Sequence, residues 1–256
     1  MSGAANPFHL SGRVALVTGG SGGLGRRMGE ALARAGASVV LVARRAPQLA
    51  DAVAVIQAAG GDAAGLARDL ADPAAMDDLV REAAEAFGPP DILVNAAGVN
   101  LREAPEAITP ESWHHTLTLN LTIPFFLARA CVPGMKAQGG GRIVNIASLQ
   151  SQRAFANGMA YGTAKGGVAQ LTRAMAEAWS RDRITANAIA PGFFPTELTA
   201  PVFADEARAA QVAAQTAIGR NGRLEDLDGI TVFLASAAAA YITGQVIFVD
   251  GGFTAK

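Results

Sequence analysis

A chain of 256 residues, 50% hydrophobic and 17% charged, can bury one large core, and its formal net charge of −1 leaves no surplus of either sign for nucleic acid or an anionic membrane surface. The single cysteine, Cys131, excludes a disulfide within the chain and reads as a small core residue in the apolar stretch 125–132. The N-terminus shows no basic region followed by an apolar core, and no uninterrupted apolar run approaches ~20 residues, so the cytoplasm is the expected location and no membrane partner is expected.

After a leader (1–11), residues 14–17 read as a buried strand. It runs into Thr18-Gly19-Gly20-Ser21-Gly22-Gly23-Leu24-Gly25 and then a helix over about 26–35. Glycines between strand and helix allow a tight turn, let a ligand approach the backbone and aim helix N–H groups at an anion. Alone such a loop is a flexible turn. Strand, glycines, helix and second strand within about 30 residues form a dinucleotide-binding unit. The spacing Gly19, Gly23, Gly25 differs from G-x-G-x-x-G and leaves a wider loop. Residues 39–42 are the second strand, ending at Ala43-Arg44-Arg45. An acid there would bind the ribose 2′-hydroxyl of NAD, whereas arginine accommodates the 2′-phosphate of NADP. Arg44 and Arg45 therefore favour NADP(H), with NAD(H) the alternative; Gly22 adds no second positive charge.

A helix over 47–59 and a strand over 63–67 lead to Asp69-Leu70, and Asp72-Pro73 caps a helix reaching about 87. Residues 91–94 form a fourth strand ending in Asn95-Ala96-Ala97-Gly98. This rhythm indicates an α/β fold, a doubly wound parallel sheet with helices on both faces and binding residues at the strand carboxyl ends, where Asp69, Asn95 and Ser148 fall. Residues 111–135 read as one long helix, bent at Pro124. Within it Asn120 needs hydrogen-bond partners if buried, and His114 and His115 read as solvated or packed. No spacing of His, Cys and acids suggests a metal.

A fifth strand, 143–146, is followed by Ser148, and a helix carrying Tyr161-Gly162-Thr163-Ala164-Lys165 runs to about 181. At i and i+4 the phenol and the ammonium share a helix face. A tyrosine titrates near ~10, and a neighbouring cation lowers that value toward useful proton transfer. A sixth strand, 184–189, ends at Pro191-Gly192. Phe193-Phe194-Pro195-Thr196 then opens an irregular segment to about 204, apolar and proline-punctuated as mobile lids and ordinary loops both are; the substrate loop spans about 192–215. A helix over 224–234 and a seventh strand over 246–249 complete the chain.

Taken together, Thr18-Gly19…Gly23-x-Gly25, Asp69, Asn95-Ala96-Ala97-Gly98, Asn120, Ser148, Tyr161-x-x-x-Lys165 and Pro191-Gly192 with Thr196 resemble the short-chain dehydrogenase/reductase family along nearly the whole length. Ala96 departs from it, since many members carry a second asparagine there. The resemblance implies one Rossmann-like domain with a seven-stranded parallel sheet, usually assembled as a homotetramer. It implies a catalytic set of Asn120, Ser148, Tyr161 and Lys165. Ser148 holds the substrate oxygen, Tyr161 passes the proton, Lys165 lowers the Tyr161 pKa and binds the nicotinamide ribose, and Asn120 supports a water. Cofactor contacts follow: Thr18, Gly19, Ser21, Gly23, Leu24 and Gly25 near the pyrophosphate, and Arg44, Arg45, Asp69, Leu70, Asn95, Ala96 and Gly98 on the adenosine side. Tyr161, Lys165, Pro191, Gly192, Phe194 and Thr196 lie toward the nicotinamide.

The segment 146–151 and the closing Gln245…Val249-Asp250-Gly251-Gly252-Phe253 are similar to gluconate 5-dehydrogenases, which implies a sugar acid or polyol as small-molecule substrate. Arg102 or Arg153, each shortly after a strand end, could pair with its carboxylate through a guanidinium fork. Phe155, Phe193 and Phe194 point instead toward a 3-oxoacyl thioester or a hydrophobic ketone. A nucleotide-sensing scaffold is the third reading; it has no need of the phenol.

Overall fold

The computed structural model describes residues 6–256, so the first five residues of the leader lie outside the described chain. Seven parallel strands, β1 (Val14–Thr18), β2 (Ser38–Ala43), β3 (Ala63–Ala67), β4 (Ile92–Asn95), β5 (Gly141–Ile146), β6 (Ile184–Pro191) and β7 (Val246–Val249), form one sheet in the order β3-β2-β1-β4-β5-β6-β7. This is the doubly wound sheet expected. Its strands read as continuous apolar runs because both faces are covered. Ala15, Val17, Val39, Leu41, Ile92 and Val94 meet one helix layer, α1 (Gly23–Arg34), α2 (Ala46–Ala58) and α9 (Asp228–Ala235). Their neighbours Leu16, Val40, Val42 and Leu93 meet the other, α3 (Met76–Phe87), α5 (Ile123–Ala137) and α6 (Met159–Trp179). Side chains alternate across a strand, so one apolar run serves two cores. Cys131 lies in the second core, its thiol pushed up to about 12 by burial, as a packed and unreactive residue.

Strand order reverses between β1 and β4, where a crevice opens beyond the carboxyl ends. The register puts Thr18 opposite Asn95 and Asn95 opposite Asn145, so these strand ends finish level under the crevice.

Three boundaries differ from the sequence reading. Helix α1 starts at Gly23, inside the glycine run. Gly25 is already helical there and packs directly on the β1 turn, which requires glycine: an added Cβ would lie 2.5 Å from the Gly19 oxygen and 2.8 Å from the Thr18 oxygen. The single long helix is α4 (Pro110–Leu117) and α5 joined by a π turn, Thr118–Thr122, and Pro124, which has no N–H to donate back to a carbonyl of that turn, sits in the first turn of α5 directly after it. The run Pro110–Ala137 is long and apolar enough by composition to cross a bilayer, yet its Ile123, Leu127, Cys131 and Met135 are part of the second core. Third, the segment after β6 is ordered into α7 (Ala200–Phe203) and α8 (Glu206–Ala214), the latter capped by Asp205, whose carboxylate accepts from the Arg208 N–H at 3.1 Å.

Candidate active site

The crevice is a cavity of about 760 Å³ running from Arg44, Arg45 and Arg68 at the end of β2 and β3, past the glycine loop, to Ser148, Tyr161 and Lys165, under the segment 193–202. Its floor is built by the β5 end. Ser148 caps a short 3-10 turn, Leu149–Ser151: its hydroxyl accepts from the Gln150 N–H at 3.1 Å, and its own N–H donates to the Ser151 hydroxyl at 3.3 Å. The Ser151 hydroxyl donates onward to the Lys165 carbonyl at 2.7 Å, which ties the serine turn to the helix bearing Tyr161 and Lys165. Sequence placed these three on one pocket, and all three line it.

Tyr161 and Lys165 share a face of α6, with the ammonium 5.6 Å from the ring centroid. Burial raises the phenol pKa, and the influences that oppose it are hydrogen bonding with Ser148 and the charge of Arg102. The expectation that the lysine makes the phenol acidic is therefore corrected for the protein alone. The reason is burial: Lys165 is 4% exposed, its ammonium donates to the Ile146 carbonyl at 2.7 Å, and desolvation pushes it down to about 8, so the lysine loses its charge before the raised phenol ionises.

Asn120 is fully buried in the π turn, with both amide protons spent, on the Val99 carbonyl at 2.8 Å and the Thr116 carbonyl at 2.9 Å, while its oxygen accepts from the Val99 N–H at 3.3 Å. Its side chain holds the 98–100 loop, and Gly98 permits the approach, since a Cβ there would lie 2.6 Å from the Asn120 oxygen.

The cavity fits a dinucleotide. The α1 N-terminus has no side-chain cap and no acid in its first turn, so its N–H groups face the cavity free for a pyrophosphate. Gly19, at φ +69°, leaves no room for a Cβ, which would sit 3.0 Å from the Ala96 carbonyl group and the Ala97 nitrogen. Ser21, Gly23, Leu24, Gly25, Arg44, Arg45, Leu70, Ala96, Gly98, Pro191, Gly192, Phe194 and Thr196 all line the cavity as the resemblance implied. Thr18, Asp69 and Asn95 do not. The Thr18 hydroxyl accepts from the Ala96 and Ala97 N–H groups at 3.0 and 3.1 Å, fixing that loop through backbone alone, which explains why alanine serves at position 96. Asp69 turns back to accept from the Ala71 N–H at 3.1 Å. Asn95 is buried and donates to the Asn145 oxygen at 2.9 Å, and Asn145 donates to the Thr172 hydroxyl at 3.0 Å, a bolt between β4, β5 and α6.

Of the two arginines considered for a carboxylate, Arg102 lines the cavity and Arg153 does not. Arg153 donates to the Phe253 and Lys256 carbonyls at 3.3 and 3.4 Å and fastens the C-terminus. His114 and His115 are exposed on α4. Sequence reasoning missed Arg68, Gln150, Glu197 and Arg208 as cavity residues. Arg68 and Glu197 adjoin Asp69 and Thr196 and were findable by proximity. Arg208 stands on a helix read as loop, with no signal to mark it.

This site, on this sheet, defines a nicotinamide-dependent oxidoreductase of the Rossmann type. A family model described as enoyl-(acyl carrier protein) reductase matches residues 19–254, and the chain belongs to the short-chain dehydrogenase/reductase family. It is 40% identical over 247 residues to the gluconate 5-dehydrogenase of Gluconobacter oxydans (strain 621H), covering 96% of each chain. It is 38% identical over 250 residues to the 2-dehydro-3-deoxy-D-gluconate 5-dehydrogenase of Escherichia coli (strain K12), covering 97% of this chain and 98% of the relative. The crystal structure of a gluconate 5-dehydrogenase from Burkholderia cenocepacia J2315 in complex with NADP and tartrate is similar with a TM-score of 0.93 and 38% identity, over 98% of both chains.

Proposed function

We propose that this protein oxidises a secondary alcohol of a sugar acid, or reduces the corresponding ketone, with NADP(H). The observation that carries this reading is one cavity holding a hydroxyl, a buried phenol, a buried lysine and the arginine Arg102 at one end, and three arginines around a phosphate position at the other. The similarity to sugar-acid dehydrogenases, one of them solved with NADP, supports it.

The coenzyme supplies the hydride acceptor or donor when bound. Glycine-loop N–H groups would hold its pyrophosphate, Arg44 and Arg45 its 2′-phosphate, and Lys165 and Thr196 its nicotinamide half. Ser148 and Tyr161 grip the substrate oxygen, an interaction that strengthens as negative charge develops there. In the oxidative direction the Tyr161 oxygen takes the hydroxyl proton; in reduction it returns one. Asn120 acts through the 98–100 loop and the π turn. Arg102 binds the carboxylate, and its charge also favours the phenolate. A 3-oxoacyl thioester is the lesser reading, because the half-buried, anion-seeking Arg102 beside the phenol serves it poorly.

The whole chain works as one domain, with residues 192–215 as substrate loop. We also assign it a cytoplasmic place, without nucleic-acid or membrane partners, and a homotetrameric state. β7 is an edge strand of apolar sequence whose residues are all only half-buried, the condition of a strand awaiting a partner. Light scattering on the purified protein tests the assembly. A substrate panel of gluconate, neutral polyols, 3-oxoacyl thioesters and bulky ketones, each with NADP and NAD, tests the activity. Turnover of sugar acids with NADP is the expected result, and turnover confined to thioesters or ketones would overturn it.

A further inference from the structure

Arg45 and Glu197 meet across the mouth of the cavity. Arg45 follows β2; Glu197 follows Thr196 on the segment after β6. A single guanidinium nitrogen of Arg45 (Nη2) donates to both Glu197 carboxylate oxygens, at 2.9 Å each. Both residues line the cavity, and the pair spans the glycine loop: a Cβ on Gly22 would lie 4.0 Å from that same nitrogen, and one on Gly23 would lie 3.3 Å from the Thr196 methyl. Arg44, next in the chain and lining the same end, has no side-chain partner among the described residues.

The two arginines are therefore not equivalent as seats for a phosphate. Arg44 is unengaged, whereas Arg45 has one nitrogen saturated and a carboxylate charge held against it. A ribose 2′-phosphate brings up to two negative charges to this place; a ribose 2′-hydroxyl brings none. A carboxylate in contact with the phosphate-binding arginine penalises the charged ligand and leaves the neutral one almost untouched. We propose that Glu197 tunes the coenzyme preference of this enzyme, holding down its selectivity for NADP(H) over NAD(H) by occupying Arg45. The inference rests on the coenzyme reading given above and adds to it a residue on the substrate loop that no phosphate-binding motif contains.

The geometry also limits the size of the effect. The side chains are 46% and 74% exposed, so the pair is solvent-screened. An exposed ion pair is equivalent to about fivefold in an equilibrium constant at most. The effect weakens further as salt shortens the screening length.

Isothermal titration calorimetry of NADP+ and NAD+ against the full-length protein reads this directly. Glu197→Gln keeps the side-chain shape and removes the charge. The expected result is NADP+ affinity raised by about two- to fivefold with NAD+ affinity unchanged, the gain fading in high salt. In an Arg45→Gln background the same substitution should give no gain, because the carboxylate then has nothing to withhold. If Glu197 were instead a strap that holds the loop shut, Glu197→Gln would weaken both coenzymes by the same factor. That outcome, an unchanged affinity ratio, or a gain that persists without Arg45 overturns the inference while leaving the enzyme's coenzyme reading in place. A wild-type protein that binds neither coenzyme removes both. Thermal melting of each variant confirms that the folded protein is what is titrated.

Discussion

Arg102 is the side chain whose removal says most about the substrate. It stands at φ +53°, in the left-handed region that costs a non-glycine residue about 1–2 kcal/mol. Substitution by glycine removes the guanidinium and that backbone penalty together. Glycine gives back about 0.5–1 kcal/mol through the greater freedom of its unfolded chain. Arg102→Gly should thus be at least as stable as the parent, by up to about 1.5 kcal/mol, a rise in Tm of at most roughly 3–6 °C for a chain of this size. The effect on catalysis runs the other way. Loss of a hydrogen bond to a charged group costs about 1.5–3 kcal/mol, which is roughly ten- to 150-fold in kcat/KM for a sugar acid. A neutral polyol makes no such bond, so its KM should hold. Its pH–rate profile should still move, the rising limb shifting to higher pH, because the Arg102 charge no longer favours the Tyr161 phenolate. Steady-state kinetics on gluconate and a neutral polyol, with a melting curve beside them, make the assay. Equal losses of kcat/KM on both substrates, or a variant that melts well below the parent, would refute the reasoning.

Two further outcomes follow from the same geometry. Asn95→Val should destabilise the protein by about 1–3 kcal/mol, since it strands the buried Asn145 oxygen without its donor. It should leave the coenzyme Kd unchanged because Asn95 does not line the cavity, and a weaker Kd at equal stability would restore Asn95 to the binding site. The Kd for NADPH should rise as pH climbs through about 8, where the Lys165 ammonium loses its proton. The folded protein holds that proton less tightly than the unfolded chain, so over this window the Lys165 contribution to stability grows with pH and cannot mimic a loss of binding. A Kd flat through that range, or the same rise in Lys165→Met, would show that the ammonium does not hold the coenzyme.

The sheet was legible because each strand is a short apolar run closed by glycine, proline or a polar residue, and because two-sided burial erases alternation in a recognisable way. Ser148, Tyr161 and Lys165 were legible too, since a strand end and an i, i+4 pair fix their relative place. Directions of side chains were not. Thr18, Asp69 and Asn95 fall at strand ends beside the cavity, yet each spends its polar atoms on the scaffold, and which way a residue turns at such an end depends on partners distant in sequence. The π turn at Asn120 was hidden for a similar reason: the bond that supports it comes from the Val99 loop. Electrostatics misled most at Tyr161. Spacing predicts a lysine near the phenol, but only coordinates show that the Lys165 proton is committed to the Ile146 carbonyl and that burial outweighs it.

Tyr161→Phe is the substitution on which proton transfer stands or falls. It removes one oxygen from a buried ring and leaves the cavity shape intact. Turnover of a sugar acid with NADP+ should drop by at least about a hundredfold, while calorimetry returns the parent's coenzyme affinity. Turnover that survives the loss of the hydroxyl would contradict the assignment of Tyr161 as the group that takes the substrate's proton.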